Sequence, residues 1–434
     1  MKAVILAAGE GNRLKPITST RPKPMIPIAG KPLLEHTING LKKAGIKKIL
    51  LIVGYRKDVI QNYFKDGKDL GLEIEYAVQK EYLGTAHATN YARDFVNNDP
   101  FLLMYGDLLI DNKIFSDIIK KFNETPVDGV ISLKEVENPH AYGIITLNND
   151  GFVEKITEKP PPELNLGNLA NAGVYIFNSK IFKAIELTQK SVRGEYEFTD
   201  SMEILINELG GKIAGYIIKN LFWSDIGLPW QLLEANGYLL GKIERKIEGK
   251  IEKNVTIEGN VYIGKNTIVR SGSYIIGPCY IGFDNLIGPN AFIRPNTSIQ
   301  NKCHIGISEI KNSIILSNTN IPHFNYVGDS IICEGVNLGA GTKIANLRLD
   351  DKNIKMTIKG SPIDTKRRKL GAIIGPNVKT GINTSIMCGK IIGENVKIGA
   401  HTLVNEDIAP NTLYYLDGKE ISKMKSKNED LETN

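Results

Sequence analysis

A chain of 434 residues is too long for one ordinary hydrophobic core, so two or three domains are expected. Its 54 Lys and Arg against 48 Asp and Glu leave +6, without the dense basic stripes and interleaved aromatics of a nucleic-acid binder. No apolar run is long enough to span a membrane, the opening MKAVILAAGEG is too short in its apolar part for a signal peptide, and four cysteines without a C-x-x-C pair argue against a disulfide framework or a zinc site. The expectation is a cytoplasmic protein with no nucleic-acid and no membrane partner, its spare charge placed where anionic small molecules bind.

Residues 1–230 alternate apolar runs with helix-like stretches. Ala3–Leu6, Lys48–Val53, Ile74–Ala77 and Phe101–Tyr105 read as strands. Between the first two, PLLEHTINGLKKAG starts at Pro32 and ends at Gly45, the Pro-first, Gly-last asymmetry of a helix. This alternation predicts an α/β domain on a largely parallel sheet, with ligands at the carboxyl ends of the strands. PWQLLEANGYLLGKIERK then reads as one connecting helix, and 231–250 as a linker.

From 251 to 410 the rhythm changes. Ile251, Ile257, Ile263, Val269, Ile275, Ile281, Ile287, Ile293, Ile299 and Ile305 recur every six residues, and the period returns at Ile374, Thr380, Ile386, Ile392, Ile398 and Val404. The fourth residue after each is small or short, as at Thr267, Ser273, Cys279, Asn285, Ala291 and Cys303. A period of six fits neither an α-helix nor an alternating strand, and it fits the hexapeptide repeats of a parallel β-helix. Cys279 and Cys303 then read as core thiols. Asn337, counted from Cys333, falls in the same small inward slot, where a stacked asparagine is structural. Residues 411–434 read as a polar tail, whose last residues, SKMKSKNEDLETN, are expected to be disordered.

The chemistry begins straight after the first strand, in LAAGEGNRLKPITSTRPKPM. A dinucleotide fingerprint needs a third glycine where Leu14 stands, and the Gly-Lys-Ser/Thr of a P-loop is absent. What remains is G-x-G-x-R-L-x-P followed by R-P-K-P. Gly9 and Gly11 permit close backbone approach, and Arg13 and Lys23 can neutralise a pyrophosphate.

This string resembles the signature of the sugar-1-phosphate nucleotidylyltransferases, with Asn12 where Thr or Ser is usual. The resemblance extends along the first half. QKEYLGTAHA is similar to that family's base-recognition stretch, which puts Gln79, Gly84 and Thr85 at the nucleobase of UTP or dTTP. YGD and WSDIG supply Asp107 and Asp225 as ligands for Mg²⁺, a hard ion suited to one or two carboxylates plus phosphates. Either aspartate alone would pass for a strand-terminal turn residue. Gly143, Glu158 with Lys159, and Asn171 fall on the sugar side. Tyr105, beside them, suits packing better than contact.

Beyond Ile305 the hexads break at IPHFNYVGDSIICEGVNLGAGTKIAN. This stretch resembles the acetyltransferase half of the bifunctional enzymes that acetylate glucosamine-1-phosphate and then uridylylate it, and the whole chain is closest in form to their archaeal-type relatives. The resemblance implies a left-handed β-helix, acetyl-CoA as cosubstrate, a hexose- or hexosamine-1-phosphate as the other small-molecule substrate, and a homotrimer. It makes His323 the catalytic base and Tyr326, Asn337, Ala340 and Asn346 its companions, with Arg294 and Lys311 anchoring sugar phosphate. Backbone N–H groups of the Gly-rich stretch would hold the oxyanion. A surface histidine on a β-helix corner is the plain alternative for His323. His36, His87, His140, His304 and His401 carry no expected role. The insertion 346–371 is long and basic; Lys352 and Lys355 are expected to meet phosphates, and Lys366–Lys369 are equally well read as a solvated loop. The rival to two activities is a glucose-1-phosphate thymidylyltransferase, or another pyrophosphorylase, whose β-helix serves only assembly or regulation.

Overall fold

The computed structural model describes every residue except 162, 165, 418, 419 and 426–434. The chain forms two units, one from 1–10, 22–25 and 33–225, the other from 11–21, 26–32 and 226–434. No helix among the described residues is long and apolar enough to cross a membrane.

The first unit is built on a nine-stranded sheet. Lys2–Ala7 lies between Lys48–Val53 and Phe101–Tyr105, with Glu73–Val78 outside Lys48–Val53, all parallel. Helix Leu33–Lys43 makes one crossover, as expected from its Pro and Gly borders. The side chains divide by a period of two. Ala3, Ile5, Ala7, Ile49, Leu51 and Val53 enter the core on one face. Val4, Leu50 and Ile52 enter that on the other. Both faces are covered, which is why these strands read as continuous apolar runs.

The sheet is mixed rather than largely parallel. Leu169–Phe177 runs antiparallel to Phe101–Tyr105, Gly129–Glu135 and Gly143–Leu147, and Val153–Glu158 returns antiparallel on Gly143–Leu147. The turn at Asn148–Gly151, closed by Gly151 N–H on the Asn148 carbonyl (3.0 Å), is too short for a crossover and dictates a hairpin.

In the second unit, helix Pro229–Leu240 stops well before the expected 246, because Lys246–Ile247 is already paired with Tyr262–Ile263. Its Asn236 is fully buried and bonded at both ends: Oδ1 accepts from the Ala29 N–H (3.0 Å) and Ser298 Oγ (2.6 Å), while Nδ2 donates to the Asn296 carbonyl (2.9 Å). A buried amide satisfied on both ends fixes this helix onto the repeat region instead of leaving it as a linker.

The hexads coil into a parallel β-helix at three hexads per turn, so residues eighteen apart stack: Val261 on Cys279 on Thr297. Ile263, Ile281, Ile299, Ile315, Ile332, Ile374 and Ile392 form one column of fully buried side chains. Corners demand a left-handed residue, and Asn254, Asn266, Asn290 and Asn296, then Asn377, Asn383 and Asn395, take it. Their amides add a ladder, with Asn377 Nδ2 donating to Asn395 Oδ1 (3.2 Å) and Asn395 to Asn411 (2.9 Å).

Cys279 and Cys303 face inward; burial pushes both thiols up to about 12, and all four cysteines are free. Asn337 does not face inward. It is exposed, flanked by buried Val336 and Leu338, because the register shifts after the break at Ile305. The expected tail also holds structure. Thr412–Asp417 pairs in parallel with Lys397–Ile398, Tyr414 closes the end of the core, and Glu420–Lys425 returns antiparallel. The expectation of disorder for 426–434 lies outside the described residues.

Candidate functional site

The opening loop leaves Lys2–Ala7 at its carboxyl end, and the two candidate aspartates follow other strand ends. Asp107 lies just past Phe101–Tyr105, and Asp225 just past Trp223–Ser224. Lys23, whose side chain is almost wholly buried, reaches both. Its Nζ sits 2.6 Å from Asp107 Oδ2 and donates to the Asp225 carbonyl at 3.4 Å. A cation thus already occupies the space against Asp107, whose carboxylate is one-third exposed. Hard, partly solvated carboxylate oxygens are the donor type of a divalent ion carried in on phosphates, which would have to displace the Lys23 ammonium from Asp107. Among the described residues no cluster of three protein ligands forms. Arg13 lies over Gly227 of WSDIG, where an added Cβ would come within 3.2 Å of its guanidinium, so the two motifs meet at this point.

The QKEYLGTAHA stretch is held by tight geometry. Gly84 has φ +111°, a conformation other residues avoid, and an added Cβ would collide with the Tyr196 backbone. Thr85 Oγ1 accepts the Phe198 N–H (3.0 Å), which makes Thr85 a brace for helix Phe198–Asn207. Gln79 is buried with its amide 3.4 Å from His87 Nδ1, so His87 has a contact that its sequence context did not announce.

Gly143 stands opposite Glu158, and a Cβ there would lie 2.7 Å from Glu158 Oε2. Glu158 also faces Lys159 (3.8 Å) and Arg193 (3.5 Å), and Arg193 pairs with Glu197 at 2.7 Å. Arg193 is a cation that sequence reasoning missed, since no quoted motif contains it. Burial and then Glu197, Glu203 and Glu158 raise Asp200 above the usual carboxylate range. Asn171 Oδ1 accepts the Gly173 N–H (3.0 Å) at an irregularity in Leu169–Phe177. Tyr105 packs, as expected: it accepts the Tyr175 hydroxyl (3.0 Å), and burial pushes its own up to about 12.

The second unit assembles its group from neighbouring coils. His323 is exposed on strand Asn320–Gly328, opposite Ile307 of the coil before, and its carbonyl accepts the Gly341 N–H (2.9 Å) from the coil after. Three residues on, Tyr326 Oη accepts from Asn346 Nδ2 (3.1 Å), which also donates to Asp329 Oδ2 (2.6 Å). Lys311 pairs with Asp329 at 3.2 Å, and Asn312 Nδ2 donates to its Oδ1 at 2.6 Å. Asp329 is thus a buried carboxylate that orients three side chains. It stood in the H-x-x-Y-x-G-D string, yet nothing in that string showed that it faces inward. Gly328 is needed beneath this group, because a Cβ would lie 2.7 Å from both Asn346 Nδ2 and Tyr326 Oη. Arg294 pairs with Glu309 (2.8 Å), a second partner the sequence did not name. Burial raises the Tyr326 hydroxyl, against the opposing bond from Asn346.

The Gly-rich stretch is less open than expected. Leu338 N–H donates to Asn320 (2.9 Å), Gly339 to Thr380 and Thr342 to Asn325 Oδ1 (2.9 Å). Of this stretch, Ala340 alone keeps an N–H with no acceptor among the described residues. Asn337 is exposed between the strands of Asn320 and Lys379. Lys352 and Lys355 are exposed on the insertion, and the Lys352 N–H donates to Asp350 Oδ1 (3.3 Å). His304 lies one coil below His323; burial, then His323, then Arg270 lower its pKa from the usual 6.5.

Comparison with known proteins follows this division. Residues 2–241 match the nucleotidyl transferase family and 275–426 the GMPPB C-terminal domain. The bifunctional protein GlmU of Methanococcus maripaludis is 45% identical, covering 96% of this chain and 97% of its own. That of Methanocaldococcus jannaschii is 46% identical over the same shares. A bifunctional sugar-1-phosphate nucleotidylyltransferase/acetyltransferase of Sulfurisphaera tokodaii is 42% identical over 94% of this chain and 98% of its own. A solved structure from Bacillus anthracis in complex with a sucrose, provisionally assigned as a glucose-1-phosphate thymidylyltransferase, is 30% identical. It covers 55% of this chain and 94% of its own with a TM-score of 0.50.

Proposed function

Because the chain belongs to the family of bifunctional sugar-1-phosphate nucleotidylyltransferase/acetyltransferases, we propose that it performs two successive transfers on one sugar phosphate. The β-helix acetylates a hexosamine-1-phosphate, foremost glucosamine-1-phosphate, from acetyl-CoA. The α/β half joins the product to UTP, or to dTTP, and releases pyrophosphate; UTP would give UDP-N-acetylglucosamine.

In the first transfer the neutral amine attacks the thioester carbonyl carbon, His323 takes the proton the new ammonium loses, and as the carbon–sulfur bond breaks that proton passes to the departing thiolate to give coenzyme A thiol. The exposed imidazole suits a base that meets a solvent-borne substrate. Tyr326 and Asn346, held by Asp329, position the sugar, with Lys311 and Arg294 near its phosphate. The Ala340 N–H, left without a partner, suits the developing oxyanion or the thioester carbonyl.

In the second transfer a phosphate oxygen of the sugar attacks the α-phosphorus, and the bond to the β-phosphate breaks in line. Asp107 and Asp225 would hold Mg²⁺, which when bound supplies charge neutralisation on the phosphates. Lys23 and Arg13 bring positive charge to oxygens that otherwise repel each other. Gln79 with the Gly84–Thr85 backbone borders the nucleobase, and Gly143, Glu158, Lys159 and Asn171 border the sugar. A homotrimer in a reducing cytoplasm completes the reading, the four free thiols being consistent with that compartment.

The observation that carries two activities over a scaffold is the assembly of Tyr326, Asn346, Asp329 and Lys311 into one bonded group beside His323. Acetyl-CoA consumption, measured without nucleotide and with glucosamine-1-phosphate, galactosamine-1-phosphate or no sugar, tests it. Sugar-dependent consumption is expected. Its absence would leave a thymidylyltransferase-like enzyme on an inert rod.

A further inference from the structure

The insertion 346–371 carries eight Lys and Arg against three Asp, a net +5 out of the chain's +6. Its two ends are tied to the Tyr326 group. It begins at Asn346 itself, and it closes with Leu370 N–H on the Asn346 carbonyl (3.0 Å) and Gly371 N–H on the Asp329 carbonyl (2.9 Å). Leu347 bridges Lys369, and between them a hairpin of Lys355–Ile358 and Ser361–Asp364 projects. At the base of this insertion lies an open, shallow recess of about 520 Å³, lined by Leu347, Arg367, Arg368 and Lys369.

The arginines are placed rather than loose. Ile354 N–H donates to the Arg367 carbonyl (2.9 Å), and Thr365 Oγ1 to the Ile354 carbonyl (2.7 Å). Arg367 pairs with Glu234 (3.1 Å), and Arg368 with Asp351 (2.6 Å). Asp351 and the Arg368 side chain are mostly exposed, and such pairs are weak in water. A phosphate dianion, which matches the guanidinium fork in two bonds, displaces a solvated carboxylate readily. Leu347 supplies one apolar wall.

We propose that Arg367, Arg368, Lys369 and Leu347 form the pocket for the adenosine 3′-phosphate end of acetyl-CoA, so that this insertion selects the phosphorylated coenzyme. The inference rests on the acetyl-transfer reading, and it predicts a preference that the reading by itself does not. The same charge would attract two other polyphosphates this enzyme meets, a nucleoside triphosphate and pyrophosphate.

The test uses the full-length enzyme in two assays. In kinetics, wild type should show a KM for acetyl-CoA about tenfold below that for acetyl-3′-dephospho-CoA, and Arg368→Ala should erase the difference by raising the first KM, with kcat moved less. Arg368→Lys should restore part of it. In calorimetry, adenosine 3′,5′-bisphosphate should bind wild type and be lost in Arg368→Ala, whether or not acetyl transfer occurs. An unchanged thermal unfolding midpoint of the full-length enzyme checks that each variant is folded. Equal use of both coenzymes by wild type would overturn the proposal, as would bisphosphate binding unchanged in the variant. Tighter competition by UTP or pyrophosphate than by the bisphosphate would also overturn it. Absence of acetyl transfer with bisphosphate binding intact would sink the acetyl-transfer reading instead.

Discussion

The two units solve the problem of placing charged side chains in opposite ways. In the α/β unit, Lys23, Asp107 and Asp225 come from segments up to about two hundred residues apart and meet beyond the strand ends, where loops are free to differ. In the β-helix, partners lie one coil apart: Arg294 with Glu309, Lys311 with Asp329, Tyr326 with Asn346. The first arrangement gathers distant segments of chain at one point beyond the strand ends. The second builds its site into strands whose spacing is set by a stacked core, so a side chain there has little freedom to be wrong. The lesson is that a repeat scaffold converts sequence distance into spatial distance almost directly, and an open α/β sheet does not.

Breaking each site separately sharpens this contrast. His323→Ala should reduce acetyl transfer by about 10²–10⁴-fold, the usual scale for a lost general base, while pyrophosphate release continues. Parallel assays of coenzyme A thiol and pyrophosphate on one preparation measure both, and equal loss of the two would refute the assignment. Asp107→Ala should do the reverse, lowering pyrophosphate release by about 10²–10³-fold, the scale of one lost electrostatic stabiliser. If titrated Mg²⁺ gives the same activity profile in wild type and variant, Asp107 is not a metal ligand.

Smaller effects probe the scaffolds. Asp329→Ala leaves Lys311 and Asn346 without their buried acceptor and should cost about 3–5 kcal/mol. Thermal unfolding should register that loss, and the KM for sugar phosphate should rise more than that for acetyl-CoA. Ile299→Ala opens the isoleucine column and should cost about 2–5 kcal/mol, against about 0.5–1.5 for Ile299→Val, with little change in the α/β activity. Denaturant titration of both variants would show whether the column is as rigid as it is regular.

The least effect concerns acid. The folded-state pKa of His304 lies below 6.5, so the unfolded chain takes up a proton before the folded one does. Its contribution to stability is complete above that value and is lost as pH falls below it. His304→Gln should therefore make the acid-side loss of stability shallower below pH 6.5 and leave stability above it nearly flat. A midpoint series from pH 5 to 8 decides this.

What was legible in the sequence was whatever local chemistry or strict period determines. Three of the four parallel strands were visible because both of their faces are buried, the edge strand Glu73–Val78 by its alternation of exposed and buried residues, and the β-helix because every sixth residue must enter one narrow core. The asparagines at the corners carry the same period, since only a few residue types tolerate the left-handed turn, and they offered a second signal for the fold. The motifs at Gly9–Lys23 and His323–Asp329 were recognisable because phosphate and acyl chemistry restrict the residue types beside them.

Tertiary structure decided the rest. Whether Asn337 points in or out depends on a register shift after Ile305, which no count from Cys333 can follow across an irregular coil. That the tail pairs as strands depends on an edge offered by Lys397–Ile398, an opportunity invisible in the tail's own polar composition. The partners of the named residues, Asp329 for Lys311 and Asn346, Glu309 for Arg294, Gly227 beneath Arg13, were also settled there. Composition and period determine which side chains are available; which of them come within 3 Å is fixed only when the chain has chosen its neighbours.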